Sequence, residues 1–109
     1  MTDNINYQLA RAIGWREKRV RVFPDETVCC FDTDYLQLVG DMPVPGCWRI
    51  FDHTDPVVSD ALVERYQMAV LFRHYSKTWS AWNWEMEGIK VSSSRHRAIA
   101  LAVIALNKC

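Results

Sequence analysis

The sequence predicts an α+β domain: a mainly antiparallel sheet of about four strands with three helices packed on it, in the order α-β-β-α-β-β-α. Capped segments with helical apolar spacing or apolar runs open the chain, recur in its middle and close it. Between them lie short stretches rich in β-branched and aromatic residues, punctuated by turn residues. The length, 109 residues, fits one domain covering residues 1–109, and the composition, 50% hydrophobic and 24% charged, is that of a packed globule rather than a disordered chain. Five Trp, four Phe and four Tyr supply the bulk that a short chain needs for a core.

The first helix follows from Ile5, Leu9, Ala12 and Ile13, which recur on one face. Asp3 or Asn4 caps its start, Gly14 ends it in a left-handed conformation, and Trp15 docks the end. In residues 18–23, Val20 and Val22 alternate with Arg19 and Arg21, the period of a half-buried strand. The turn at Pro24, Asp25 and Glu26 leads into a second strand from Val28 to Phe31, completing a hairpin. Residues Tyr35 to Val39 read as a strand, 40–46 as a rigid loop, and Trp48 to Phe51 as an edge strand or an aromatic clamp. Thr54 or Asp55 caps a middle helix with Pro56 in its first turn and Val58, Ala61, Leu62 and Tyr66 on one face. A hairpin follows, Ala69 to Tyr75 and Thr78 to Glu87. It places Trp82, Trp84 and Met86 on one face and Trp79 and Ala81 on the other, with Trp82 expected as a core anchor. Residues Ile89 to Val91 add a little more strand. Ser92, Ser93 and Ser94 introduce the last helix, Arg95 to Lys108.

That last helix is apolar all round from Ala98 to Leu106. A surface helix keeps a polar half, so a second layer must cover this one. Either the first helix supplies that layer, or a two-fold dimer does, with Ile99, Val103 and Leu106 meeting their symmetry mates. The dimer is the expectation here. The nine-residue run is about half a bilayer span, which excludes a membrane-crossing helix. The N-terminal residues lack the basic and apolar regions of a signal peptide, which leads us to expect a mature protein beginning at Met1 and residing in the cytoplasm.

Thirteen basic and thirteen acidic residues cancel, but unevenly along the chain. Residues 1–23 carry a net charge of +3, residues 24–64 of −8 and residues 65–109 of +5. Such blocks either become faces of opposite sign, suited to charged partners or self-association, or neutralise one another across the fold.

The candidate chemistry is thin. Cys29, Cys30, Cys47 and Cys109 lack the spacing of a disulfide framework or of paired zinc knuckles, so they read as reduced structural thiols with no metal or other cofactor. The cluster from Asp52 through Asp55 could orient a catalytic His53, yet the same residues are what a capped helix entry looks like. No phosphate loop, nucleophile elbow or paired-histidine zinc helix occurs, and the expectation is a protein that is not an enzyme. Binding is the alternative. Arg16, Arg19 and Arg21, with Lys77 and Trp79 on the second hairpin, are the candidate contacts; neutral total charge weighs against nucleic acid as the partner.

Several of these segments, taken together, match a known pattern. The run from Leu9 to Trp15, the Thr54-Asp55 step into a helix ending Val63-Glu64-Arg65, the aromatic hairpin and the Ala-rich last helix resemble the phage ABA-sandwich proteins and the NinX-like proteins of lambdoid phages. The chain departs from that pattern at Val57-Val58-Ser59-Asp60, where the family favours Ala-rich sequence with an aromatic, and no proline precedes the last helix. The resemblance implies a phage-encoded accessory protein in the host cytoplasm that binds a host or phage protein, for example to inhibit a bacterial defence system. A nucleic-acid-associated module is the runner-up and a small enzyme comes third.

Overall fold

The computed structural model describes residues 4–44, 46–86 and 88–107. Helix α1 (Ile5–Ile13) begins where the Asn4 side chain accepts hydrogen bonds from the backbone N–H groups of Asn6 and Tyr7. It ends at Gly14, whose φ of 112° lets its N–H turn back to the carbonyls of Ala10 and Arg11. Trp15 then packs edge-on against Phe51, with ring centroids 5.0 Å apart. A 3-10 turn (Glu17–Arg19) takes the start of the expected first strand, which shortens β1 to Val20–Val22.

Strand β2 (Val28–Phe31) pairs antiparallel with β1, and β3 (Trp48–Ile50) pairs antiparallel with β2. After helix α3 (Pro56–Arg65), capped by Asp55, come β4 (Ala69–Arg73), β5 (Thr78–Trp82) and β6 (Lys90–Ser92), again all antiparallel. The α+β class is therefore as expected, but the strands form two three-stranded sheets, β1-β2-β3 and β4-β5-β6, rather than one of about four. Each sheet is a meander of consecutive strands, and α3 separates the two in sequence.

Among the described residues there are four helices, not three. Of residues Tyr35 to Val39, expected as a strand, Tyr35 to Leu38 form the end of α2 (Asp32–Leu38) and Val39 is its C-cap. Asp32 and Asp34 in its first turn favour the positive end of the helix, and Tyr35 and Leu38 bury one face. The chain after α2 returns to β3 under the control of Asp32. Its carboxylate accepts from the Cys47 N–H and the Arg49 Nε, while the Asp32 N–H donates to the Cys47 carbonyl. A Cβ at position 46 would run into that carboxylate, so Gly46 is what the close approach permits.

Strand β5 stops at Trp82 instead of reaching Glu87, because Asn83 turns the chain. Its Oδ1 accepts from the Glu85 N–H and its Nδ2 donates to the Tyr66 carbonyl. The pleat points Trp79 and Ala81 into the core and Trp82 outward, so Trp79, and not Trp82, packs against the buried cluster. The expectation of a Trp82 core anchor is thus corrected: Trp79 and Ala81 face the core, and Met86, expected on the face of Trp82, also packs against it because the strand ends before it.

Helix α4 (Arg95–Leu106), capped by Ser94, is the centre of the molecule. It packs on the second sheet and on α1 and α3, and α1 in turn packs against β1 of the first sheet. Ala98, Ile99, Ala100, Ala102 and Val103 are all 0% exposed. This corrects the expected meeting of Ile99 and Val103 with symmetry mates: both are covered within the chain, where α4 packs on α1, α3 and the second sheet, while Leu101, Ile104, Ala105 and Leu106 keep partial exposure. Replacing Ile99 with Ala is expected to cost about 2–5 kcal/mol, the range for a buried aliphatic side chain. Trp82→Ala should cost less than about 2 kcal/mol, since its ring is only half-buried on an outer face. Denaturant unfolding of the two variants checks the order; a costlier Trp82→Ala would contradict the assignment of faces.

Candidate interaction surfaces

The first sheet turns one face to the helices and the other to solvent. Val20, Val28 and Cys30 are buried on the inner face, which leaves Arg21, Cys29, Phe31, Trp48 and Ile50 on the outer one. There Phe31 and Trp48, opposite each other in the register, stack with centroids 4.4 Å apart. Arg19 lies 4.6 Å over the Phe31 ring and Arg21 4.9 Å over the Trp48 ring. Arg19 is also held by Asp34, with Nε 2.8 Å from Oδ2 and a second contact of 3.3 Å, and that partner pushes its pKa up. Of the candidate contacts, Arg19 and Arg21 share this surface, and Arg16 is exposed at the 3-10 turn before it. Lys77 belongs to the other sheet, in the β4–β5 turn, where φ is +56° and its N–H meets the Arg73 carbonyl. Trp79 is half-buried against the core and tilts on Phe72, so it is not available as a surface contact. The Phe31–Trp48 pair escaped sequence reading because only the β2–β3 register brings the two rings together.

The outer face of the second sheet is more apolar. Leu71, Ser80 and Val91 form one cross-strand row and Ala69 and Trp82 the next. Ile89 precedes Lys90, the partner of Ala81, and so extends the Trp82 row. Leu71 and Val91 are each 51% exposed and Trp84, just past the strand end, is 80% exposed. The charge that the strands place on this face among the described residues, Arg73, is folded back: Nε donates to the Ser80 hydroxyl at 2.7 Å and Nη1 to the Tyr75 hydroxyl at 2.9 Å.

The histidine cluster has a different character. Asp52 Oδ1 accepts from the Thr54 N–H, and Asp55 Oδ1 from the Val57 N–H, the geometry of a helix entry. His53 is locked to α1: its backbone N–H and its Nδ1 lie 2.7 Å and 2.6 Å from Asn6 Oδ1. The backbone donor makes that oxygen an acceptor, so Nδ1 carries the ring proton and Nε2 the lone pair. His96, near the start of α4, stands edge-on at 5.6 Å between centroids. Burial pushes the His53 imidazole below its ordinary pKa; Asp52 pulls it up, while His96 and Arg97 push it down further.

Cys29 and Cys30 point to opposite faces of β2, so the combination of Cys29, Cys30, Cys47 and His53 is not assembled. Burial raises the Cys30 thiol to about 12, which keeps it protonated. Among the described residues no three His, Cys, Asp or Glu side chains gather in a metal-holding arrangement, and no helix is long and apolar enough to cross a membrane. Cys109 lies outside the described residues. The charge blocks meet one another: Arg19 of the first pairs with Asp34 of the second at 2.8 Å, and Arg95 of the third with Asp60 of the second at 3.5 Å. These contacts follow the neutralising alternative.

No protein-family model matches the chain, and neither a curated protein nor a solved structure is significantly similar to it.

The lowered His53 pKa has a consequence for stability. The unfolded chain takes up the proton first, so the stabilising effect of a neutral His53 is complete above the ordinary imidazole value. It is lost as pH falls through the lowered folded value. His53→Gln, which cannot titrate, should lose less stability than the parent between about pH 7.5 and 5. Identical pH profiles in urea unfolding would contradict it.

Proposed function

We propose that the chain is a protein-binding module rather than an enzyme, and that it docks its partner on the outer face of the second sheet. The observation that carries this reading is the apolar surface of Leu71, Val91, Ile89 and Trp84 around Trp82, left in solvent by a chain whose core is already filled by α4. Burying large apolar and aromatic side chains drives most stable association, and Trp is among the strongest interface anchors. A patch of this kind on a small domain marks an interaction site.

The charges argue in the same direction. Nucleic-acid binding draws on free cations and on open aromatic faces for stacking. Here Arg19, Arg49 and Arg95 are committed to carboxylates, and the Phe31 and Trp48 rings are stacked on each other beneath guanidinium groups. The resemblance of the sequence to small phage proteins supports a more specific version, in which a phage-encoded accessory protein binds a host or phage protein in the host cytoplasm. Inhibition of a bacterial defence system is one such role.

The test is capture from a bacterial lysate by the parent and by a Leu71→Glu/Val91→Glu double variant, with mass-spectrometric identification. Both positions are exposed, so each change alone should move stability by no more than about 0.5 kcal/mol, and circular dichroism verifies the fold. A protein held by the parent after nuclease treatment and lost by the double variant is the expected result. Equal capture by both chains, or capture that nuclease abolishes, would overturn the reading.

A further inference from the structure

We propose that the outer face of the first sheet is a second binding site, built to take an extended peptide that carries a carboxylate and an apolar side chain two residues apart. The apolar half is a shallow cleft of about 520 Å³, with Cys29 on its floor, Phe23, Pro24 and Ile50 on its walls and Asp25 and Thr27 at one rim. Ile50, the last residue of the edge strand β3, is 64% exposed in the free chain and leaves aliphatic surface beside Phe31 and Trp48.

The charged half is Arg21. Its backbone shares a cross-strand row with Cys29 and Ile50, and its charge is felt at the Cys29 thiol on the cleft floor. Its guanidinium rests on the Trp48 ring, and among the described residues it has no carboxylate within ion-pair distance, whereas Arg19 and Arg49 have Asp34 and Asp32. That difference specifies the ligand. A guanidinium set over an indole keeps N–H donors for a carboxylate, the group arginine binds best in a two-point contact. At the far rim the Asp25 carboxylate accepts from the Thr27 N–H and stays negative, its pKa lowered by that bond. An acidic ligand group is therefore repelled at the Asp25 end and drawn to the Arg21 end, and the peptide has one orientation.

The spacing agrees. From backbone to backbone, Phe23 lies two residues along the chain from Arg21, about 7 Å when extended, and Ile50 lies two strands across, about 10 Å away; the guanidinium itself sits on the Trp48 side of that row. Same-face side chains of an extended peptide are also about 7 Å apart, so an acid on Arg21 brings the residue two positions on over the cleft. The occupant is an acidic–apolar segment of a partner protein. This site is on a different sheet from the docking face proposed above and does not depend on it.

A titration of the isotope-labelled chain with acetyl-Gly-Asp-Gly-Leu-Gly-amide, and with the same peptide carrying Asn for Asp, followed by NMR, tests this. The expected shifts fall on Phe23, Thr27, Cys29 and Ile50. Binding of the Asp peptide should weaken at least about fivefold with the Asn peptide or with Arg21→Gln, and should weaken with added salt. Ile50→Ser, at an exposed position, should weaken both peptides without unfolding the chain. The Leu71→Glu/Val91→Glu chain should bind the Asp peptide like the parent. Equal binding of the two peptides, shifts confined to other residues, or no shift at about 10 mM peptide would overturn the proposal and leave the second-sheet reading standing.

Discussion

The complete burial of Ala98, Ile99, Ala100, Ala102 and Val103 of α4 is the constraint from which the rest of the architecture follows. A helix whose middle reads Ala-Ile-Ala-Leu-Ala-Val has no polar face to give to water, so it has to be enclosed. The three alanines at 98, 100 and 102 make that possible in a chain this short. They let neighbouring elements come close, with Ala10 of α1 and Ala81 of β5 among the small residues of the same buried cluster. The large side chains, Ile99 and Val103, then fill the remaining space with Leu9, Val58 and Leu62.

Enclosure of α4 also decides where the protein can act. The helices use up the inner faces of both sheets, and among the described residues no element covers the outer faces. Each outer face handles exposure differently. On the first sheet, stacked rings and guanidinium groups shield one another, and Arg21 is left without a carboxylate among the described residues. On the second, Arg73 is tied to Ser80 and Tyr75, and aliphatic and indole surface remains. Apolar surface is costly to hydrate, which is the physical basis of the docking face proposed above.

Much of this was legible in the sequence where the signal is local. Asn4 and Gly14 delimit α1, Asp55 and Pro56 open α3, and Ser94 opens α4, because caps act within a few residues. Helix α2 was not legible: two turns are too short to display a period, and Tyr35 to Val39 looks as strand-like as helical. The one available signal was the pair Asp32 and Asp34 at its start. The division into two sheets is a matter of which strands pair, and the rule that consecutive strands pair points to two meanders separated by α3. The outer-face partners were least legible. Phe31 finds Trp48 across seventeen positions through the β2–β3 register, and Arg19 finds Asp34 across fifteen because α2 packs beside the 3-10 turn. The apolar character of α4 was plain from the sequence; whether its own chain or a second copy covers it depends on where α1 and α3 lie.

The most direct measurement of that central claim is native-state hydrogen exchange of the α4 amides at two protein concentrations. With the helix enclosed by its own chain, residues 98–103 should be among the slowest to exchange, opening only with global unfolding, and their rates should be the same at about 10 μM and 1 mM. Protection of those amides that rises with concentration would contradict the account, because it would mean that a second copy completes the enclosure.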